Sequence, residues 1–265
     1  MKTIDKTKLV PRVVVPKAEN TSYKRFAIKN FPAVIAGDIH MPYHDRDAVA
    51  AMLDHVEKIG AKTLVFAGDC LDCYSLSRWI KDPRKRNFKA EIEMMRDFLA
   101  SIRKAYPDMD IIYKEGNHEE RLEHYLQQNA PALFGLDEIT IPSLLNLDEQ
   151  NIAWVGNKRV ITAKKLNIIH GHEYVFSMQN PVNPARGLYL RAKKSAMCFH
   201  FHQTSEHSER AINDDMATCW SVGCLCNLSP EYMPLNKWNH GFADITIDGD
   251  QWNVHNYRIR EGRVL

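Results

Sequence analysis

Histidine, aspartate and asparagine side chains that could hold metal ions recur in five short segments of this 265-residue chain, and four of the segments contain a glycine. Mixed imidazole and carboxylate donors suit borderline ions such as zinc, manganese and iron. One Asp-x-His or His-x-His alone is more often a turn, a cap or a hydrogen-bonded core pair, but five such segments in order predict a metal centre. The segments span residues 37–40, 68–72, 116–119, 170–172 and 200–202.

One carboxylate that binds two metal ions at once would make these ligands a two-metal site. Two ions held about 3.5–4 Å apart can stabilise both the attacking and the leaving oxygen of a phosphoryl displacement. The pattern therefore favours phosphoryl transfer to water.

The first three segments each follow an apolar run that has the pattern of a β-strand. These runs cover residues 33–36, 63–67 and 110–114, and a helical spacing of apolar residues follows each of them. This alternation predicts a mainly parallel sheet with crossover helices, in which the carboxyl ends of the strands share one edge. The polar segments can therefore meet in space.

After a stretch rich in Pro and Leu at residues 131–147, shorter β-type runs follow with few helices between them, and we interpret them as a second sheet. We expect residues 1–30 to form an extended lead-in and residues 31–265 to form a single domain. The runs of the expected second sheet are 151–155, 159–169, 196–199, 218–225, 242–247 and 252–259.

The ordered segments resemble the signature of the calcineurin-like metallophosphoesterases: Asp-x-His, Gly-Asp-x-x-Asp, Gly-Asn-His-Asp/Glu, His and Gly-His-x-His. The resemblance covers residues 37–202, and the spellings GDIHMPYHD, GDCLDCYSLSRW and GNHEERL are similar to members common in bacteriophage and prophage genomes. It implies an α/β fold, a calcineurin-like four-layer sandwich of two mixed β-sheets flanked by helices.

The same resemblance implies two divalent or trivalent metal ions, drawn from manganese, iron, zinc or nickel, with a hydroxide bridging them as the nucleophile. The ligands of the first ion would be Asp38, His40 and His202. The ligands of the second would be Asn117, His170 and His200, with Asp69 bridging both.

By resemblance, His118 would protonate the leaving-group oxygen and Asp72 would orient the His118 imidazole. The chemistry agrees with these roles, because an alkoxide leaves poorly near neutral pH and an imidazolium fixed by a carboxylate is a competent general acid.

Two positions depart from the family pattern. Phe199 stands where the family usually has Gly before His-x-His, and Cys73 stands where its protein phosphatases have an Arg that contacts phosphate. The second departure favours a nucleotide or nucleic-acid phosphodiester over a phosphoprotein. The alternatives are a phosphomonoesterase or a catalytically idle metal-binding scaffold, and the retention of every ligand type and of His118 favours an enzyme.

Four further residues are candidates for contacting the substrate. His172 is expected beside the metals, and His44 is either a loop contact near the site or a surface turn residue. Arg84 and Arg86 belong to a basic run at residues 81–86. Such runs are usually solvated surface.

A second basic run at residues 186–194 precedes the last motif, and both runs would attract a phosphate backbone if they bordered the metal cleft. Aromatic residues near the first run could stack on bases, although packing against helices is the interpretation we favour. These aromatics are Tyr74, Trp79 and Phe88.

Composition limits the remaining classes. The net charge is +2 and 45% of the residues are hydrophobic, which is typical of a globular protein and not of a basic nucleic-acid coat. No apolar run is long enough for a membrane span, and the N-terminus lacks the apolar core of a secretory signal, so we expect a cytoplasmic protein without a membrane partner. The six cysteines, including the Cys70-x-x-Cys73 pair, are expected to be reduced and packed.

Overall fold

A computed structural model describes residues 23–79, 82, 84, 87–174, 182–249 and 251–265. The strands in these ranges are β1 (Phe26–Ala27), β2 (Ala33–Ala36), β3 (Thr63–Phe66), β4 (Asp110–Lys114), β5 (Ile152–Val155), β6 (Ile161–Ala163), β7 (Leu166–Ile168), β8 (Ala196–Cys198), β9 (Ser205–Arg210), β10 (Met216–Ser221), β11 (His240–Asp248), β12 (Gln251–Arg260) and β13 (Arg263–Val264). The α-helices are α1 (Arg46–Lys58), α2 (Phe88–Ala105), α3 (Glu120–Asn129), α4 (Ile141–Leu144) and α5 (Pro184–Ala192).

The first sheet has the strand order β13-β12-β11-β2-β3-β4-β5. Strands β2 to β5 are parallel, which confirms the crossover pattern expected for the first three strands. Helix α1 follows β2 and begins where the Asp45 carboxylate accepts the Ala48 amide at 2.8 Å, which satisfies an N-terminal donor that the helix leaves free. Because β2, β3 and β4 are parallel, their carboxyl ends lie at the same edge of the first sheet.

The second sheet has the order β1-β6-β7-β8-β10-β9 and mixes parallel and antiparallel pairs. Apolar residues of both sheets, such as Ile35, Val65 and Ile168, are buried together between them. Helices α1 to α3 cover the outer face of the first sheet through residues such as Met52 and Leu99.

Helix α5 covers the outer face of the second sheet, where Leu188 packs with Cys198 and Cys219. The layers are therefore helices, sheet, sheet and helix. The four-layer sandwich of two mixed sheets is confirmed.

The expected membership of the second sheet is wrong for three runs. Strand β5 continues the parallel order beside β4, and β11 pairs antiparallel with the free edge of β2, with β12 on its other side. A β-type pattern reports which side chains are buried but not which neighbour supplies the hydrogen bonds, so chain order alone misplaced these strands.

The run expected at residues 159–169 is two antiparallel strands, β6 and β7, joined by a turn in which Lys164 has a φ of 55°. Residues 1–22 of the expected lead-in lie outside the described residues, and its end contains β1, which pairs with β6. None of the helices described here is long and apolar enough to span a membrane.

Candidate metal centre

The loops after β2, β3 and β4 lie side by side at one edge of the first sheet. The Asp38 amide donates to the Gly68 carbonyl and the His40 amide donates to the Asp69 carbonyl, each at 3.0 Å. Gly68 has a φ of +100°, and a Cβ at this position would lie 2.7 Å from His170 Nδ1. Glycine therefore permits both the turn and the close approach of the histidine.

The second sheet contributes the remaining histidines to the same place. His170 follows β7, and His200 and His202 follow β8. The His200 amide donates to Asp38 Oδ2 at 2.8 Å, which ties the two sheets together at the centre. All five polar segments that the sequence singled out converge here.

The first ligand group surrounds a carboxylate oxygen that has no hydrogen bond. Asp38 Oδ1 is buried and lacks a hydrogen-bond partner. It lies 3.4 Å from His202 Nε2 and 4.0 Å from His40 Nε2, and these two nitrogens are 3.3 Å apart. A buried acceptor without a donor is costly, and a cation bound by all three side chains would satisfy it.

The second ligand group is centred on His170. Its Nε2 lies 3.2 Å from both Asp69 Oδ2 and Asn117 Oδ1. Donor atoms of Asp69, His170 and His200 all lie within 4.8 Å of one another. Since Asp69 Oδ2 is also 3.9 Å from His40 Nε2, this carboxylate faces both ligand groups. The donor types and their arrangement fit two borderline metal ions.

Two of the imidazoles are oriented through their other nitrogen. His40 Nδ1 lies 3.0 Å from Asp72 Oδ1, and His170 Nδ1 lies 3.0 Å from the Ala67 carbonyl oxygen. A proton on Nδ1 leaves the Nε2 lone pair free for a metal, as in most histidine ligands. His202 Nδ1 has a softer neighbour, Cys226 Sγ at 3.7 Å.

The backbone at the ligands is unusual. Side chains other than glycine rarely have a positive φ, and such residues cluster at functional sites. Five of the seven expected ligands have φ between 51° and 71°: Asp38, His40, Asp69, His200 and His202.

The carboxylates of the centre stay ionised despite their burial. Burial alone would raise the pKa of Asp69, but the imidazoles of His118 and His170 outweigh it and hold the pKa well below its usual value. In the same way, His202 and His170 lower the pKa of Asp38. Burial lowers the pKa of His200 to about 4, whereas Asp69 overcomes burial and raises the pKa of His170 to about 9. A metal ion would bind the ionised carboxylates and the neutral His200 directly, and it would displace the proton from His170.

Glu119 fixes the loops, a role that the sequence analysis missed. Its buried carboxylate accepts the amides of Asp69 and Gly116 through Oε2, each at 2.9 Å. Its other oxygen, Oε1, accepts the amides of Cys70 and Leu71 at 2.9 and 3.1 Å, as well as a phenol. The third segment is therefore fastened to the second by one side chain.

Glu173 fixes the backbone of the fourth segment in the same way, and the sequence did not indicate this role either. It accepts the amides of His170 at 3.0 Å and Gly171 at 2.7 Å. Its Oε1 lies 2.8 Å from Nζ of the fully buried Lys114. Burial would raise the pKa of Glu173, but Lys114 and the nearby histidines lower it to about 2, so the ion pair persists at neutral pH.

His118 and Asp72 lie together beside the ligands. His118 Nδ1 is 2.7 Å from the Asp72 carbonyl oxygen and 3.4 Å from Oδ1 of its carboxylate. The carboxylate is nearer to His40, so Asp72 supports two imidazoles and contacts His118 mainly through its backbone. His118 Nε2 lies 3.7 Å from Asp69 Oδ2 and also 2.8 Å from a guanidinium nitrogen of Arg121.

The candidate substrate residues are spread more widely. His172 lies beside His170, with ring centres 5.4 Å apart, but its Nε2 is 3.0 Å from Glu120 Oε1. His44 is half-buried and forms a β-bridge with Cys226. Arg84 is exposed and pairs with Asp82 at 2.7 Å. Arg86 lies outside the described residues.

The departures from the motif have local explanations. Phe199 is fully buried and packs against Gly37, where a Cβ would lie 3.0 Å from the ring. The following residue, His200, takes the positive φ itself. Cys70 and Cys73 are buried, and burial raises the pKa of both thiols, as expected for packed and unreactive cysteines.

Comparison with known proteins places this geometry in a family. The calcineurin-like phosphoesterase family model matches residues 31–210. Since the match covers well over half of the 265 residues, the chain belongs to the calcineurin-like phosphoesterase family.

Among curated proteins, the chain is similar to the Gene 54 proteins of two mycobacteriophages. It is 28% identical to that of Mycobacterium phage L5 over 228 residues, covering 82% of this chain and 89% of the phage protein. It is 27% identical to that of Mycobacterium phage D29, again covering 82% and 89%. The similarity to phage members that the spellings indicated is confirmed.

Solved structures with a similar arrangement share little sequence. Vacuolar protein sorting 29 of Cryptosporidium parvum aligns over 89% of this chain and 95% of its own, at 10% identity and a TM-score of 0.48. YfcE, a phosphoesterase from E. coli, aligns over 82% of this chain and 88% of its own, at 14% identity and a TM-score of 0.40.

Proposed function

We propose that this protein is a dinuclear metal-dependent phosphoesterase that hydrolyses phosphodiester bonds of nucleotides or nucleic acid. The observation that carries the proposal is the convergence of seven donor side chains around the buried, unpartnered Asp38 Oδ1 and the shared Asp69. Two bound ions would lower the pKa of water and stabilise negative charge on phosphate oxygens.

The protein's own residues supply the remaining requirements. Asp69 would hold the two ligand groups in register, because its Oδ1 is fixed by the His118 amide at 2.8 Å and only Oδ2 is left to face both groups. His118 would deliver a proton to the leaving oxygen from a ring held 4.4 Å from that of His40. Asp72 would keep both rings oriented through its carbonyl and carboxylate oxygens.

Aromatic surface beside the centre supports a diester with a flat organic group. The Trp238 ring lies 4.2 Å from the ring of His202, centre to centre, and the exposed Tyr232 ring is 6.3 Å from that of Trp238. Stacking on such rings is worth about 1–3 kcal/mol per base. Trp79, expected to pack, is instead 68% exposed with the Arg78 guanidinium 5.0 Å from its ring, whereas Phe88 packs against the core.

The direct test is turnover of bis-p-nitrophenyl phosphate by protein supplied with manganese. We expect activity that is lost in Asp69→Ala and His118→Ala and kept in the control His207→Ala, which alters a histidine on the outer strand β9. Fully metallated wild type that hydrolyses neither this diester nor any of a panel of monoesters would contradict the proposal and favour the scaffold.

A second comparison separates the substrate classes. Hydrolysis of single-stranded DNA or RNA should fall steeply as salt rises, because phosphate contacts release counterions, whereas hydrolysis of the small diester should not. A preference for p-nitrophenyl phosphate over the diester would instead support the phosphomonoesterase.

A further inference from the structure

We propose that Arg121 binds the phosphate of the substrate, as a cation placed at the metal centre by the first turn of α3. The inference rests on the proposed phosphoesterase function and adds a substrate-binding residue that the motifs do not include. Its basis is the position, the partners and the uncompensated charge of one guanidinium.

The guanidinium is fixed from two sides. Nη1 donates to the Asp72 carbonyl oxygen and Nη2 donates to His118 Nε2, both at 2.8 Å. Both partners belong to loops of the metal centre, and His118 Nε2 is itself 3.7 Å from Asp69 Oδ2. Arg121 is therefore hydrogen-bonded directly to His118, whose ring faces the shared carboxylate of Asp69.

The charge of Arg121 has no direct counterion. In the part of the chain that the structure describes, no carboxylate oxygen lies within 4.0 Å of its guanidinium, since both of its partners are uncharged acceptors. Some exposed arginines elsewhere do have such partners, as Arg84 pairs with Asp82 at 2.7 Å and Arg210 pairs with Asp214 at 2.6 Å. A half-buried guanidinium without an acid is suited to an incoming anion.

Arg121 also reaches the backbone beside Cys73. Its Nη1 donates at 2.8 Å to the carbonyl oxygen of Asp72, the residue directly before Cys73. The sequence analysis inferred from Cys73 that a phosphate-binding arginine is missing. Helix α3 supplies one to the same corner of the site from a different segment.

Donor geometry explains how a phosphate would use this arrangement. Arg121 donates to His118 Nε2, so that nitrogen acts as an acceptor and the ring donates through Nδ1 to Asp72. A guanidinium has about five N–H donors, and these two bonds use only Nη1 and Nη2 once each, so further donors remain for an anion. A phosphoester provides non-bridging oxygens that can accept from them.

The test compares metal-loaded wild type, Arg121→Ala, Arg121→Gln and Arg121→Lys. We expect inhibition by inorganic phosphate to weaken by about 10- to 100-fold in the Ala and Gln variants, with a similar loss in kcat/KM for bis-p-nitrophenyl phosphate. The Lys variant should recover part of both, and added guanidinium should partly restore Arg121→Ala. Arg260→Ala is the matched control, because Arg260 is 78% exposed on β12.

Metal content is measured alongside, since a merely structural role would reduce metal binding and leave phosphate binding by the loaded protein unchanged. Wild-type phosphate inhibition in fully metallated Arg121→Gln would overturn the inference. If the wild type turns over no ester, the proposed function fails, but calorimetric binding of phosphate to loaded wild type and Arg121→Gln still tests Arg121. Equal affinity there would overturn it as well.

Discussion

Two buried clusters of this protein combine aspartate with histidine, and they differ in whether every carboxylate oxygen has a hydrogen-bond partner. At the metal centre, Asp38 Oδ1 has no hydrogen bond although three imidazole nitrogens lie within 4.0 Å of it. In the other cluster, Asp244 on β11 accepts from His55 and Tyr257 through Oδ2 and lies 2.7 Å from His255 through Oδ1.

The comparison shows that proximity of acids and imidazoles does not make a metal site. Both oxygens of Asp244 accept hydrogen bonds within the protein, so the cluster fastens α1 to β11 and β12. Among the described residues, the groups of donor atoms close enough to share a metal ion all lie at the first cluster. A buried acceptor without a hydrogen bond, and not composition, distinguishes the two clusters.

Removing the shared carboxylate should produce the largest effect. In Asp69→Asn the side chain keeps its shape but loses the charge that faces both ligand groups. We expect turnover of bis-p-nitrophenyl phosphate to fall by about a thousandfold or more, at about 1.4 kcal/mol per tenfold, together with loss of bound metal. Elemental analysis measures the bound metal and initial rates measure turnover. A variant that keeps two metals and its activity would show that the Asp69 carboxylate is not needed to hold the ions, and the contrast with the Asp244 cluster would fail.

A smaller effect is expected from Glu119→Gln. Glu119 resembles Asp244 in that its oxygens are fully occupied, but the donors are amides of the ligand loops. An amide group cannot accept through its nitrogen, so the loop of Asp69 would lose bonds. We expect metal affinity to fall by about 10- to 100-fold, as for other residues that orient ligands. Titration with manganese measures the affinity. An unchanged affinity would show that the ligand loops keep their conformation without the hydrogen bonds of Glu119.

Asp244→Asn is the reciprocal test. We expect a loss of about 1–3 kcal/mol in the free energy of unfolding, because buried hydrogen bonds to His55 and His255 are broken. Metal stoichiometry and kcat should match the wild type. Denaturant unfolding and elemental analysis provide the measurements, and a variant that loses metal would show that the second cluster also supports the centre.

The smallest effect concerns a buried carboxylate that has acids nearby. Burial raises the pKa of Glu91 to about 8, although the Cys73 amide donates to it. Because this pKa exceeds the ordinary glutamate value of 4.5, the protonated form contributes stability below about pH 4.5 that is lost as pH rises to about 8. Asp69, with imidazole neighbours, shifts in the opposite direction.

Glu91→Gln should therefore gain stability relative to the wild type between pH 6 and pH 9, by up to about 2.7 kcal/mol, at about 1.4 kcal/mol for each of the two pH units below the folded pKa of about 8. Unfolding of both metal-loaded proteins at the two pH values measures the difference, and Glu93→Gln, on the exposed side of the same helix α2, is the control. A difference that does not grow with pH would mean that Glu91 is ionised throughout.

The sequence predicted the convergence of the five polar segments better than it predicted the order of the strands in the sheets. The five segments could be recognised because each directly follows a strand, where chain order and spacing determine the position. The roles of Glu119, Glu173 and Arg121 could not be recognised, since they depend on which amides and rings face those side chains after folding. Likewise, β11 pairs with the side of β2 that faces away from β3, and an apolar pattern does not show which strand edge is free for pairing.

The anomalous scattering of manganese in crystals of the metal-loaded protein tests the central claim most directly. The account predicts two peaks per chain about 3.5–4 Å apart, with Asp69 Oδ2 between them and the two ligand groups on either side. A single peak under replete conditions, or no peak at Asp38 and His170, would contradict it.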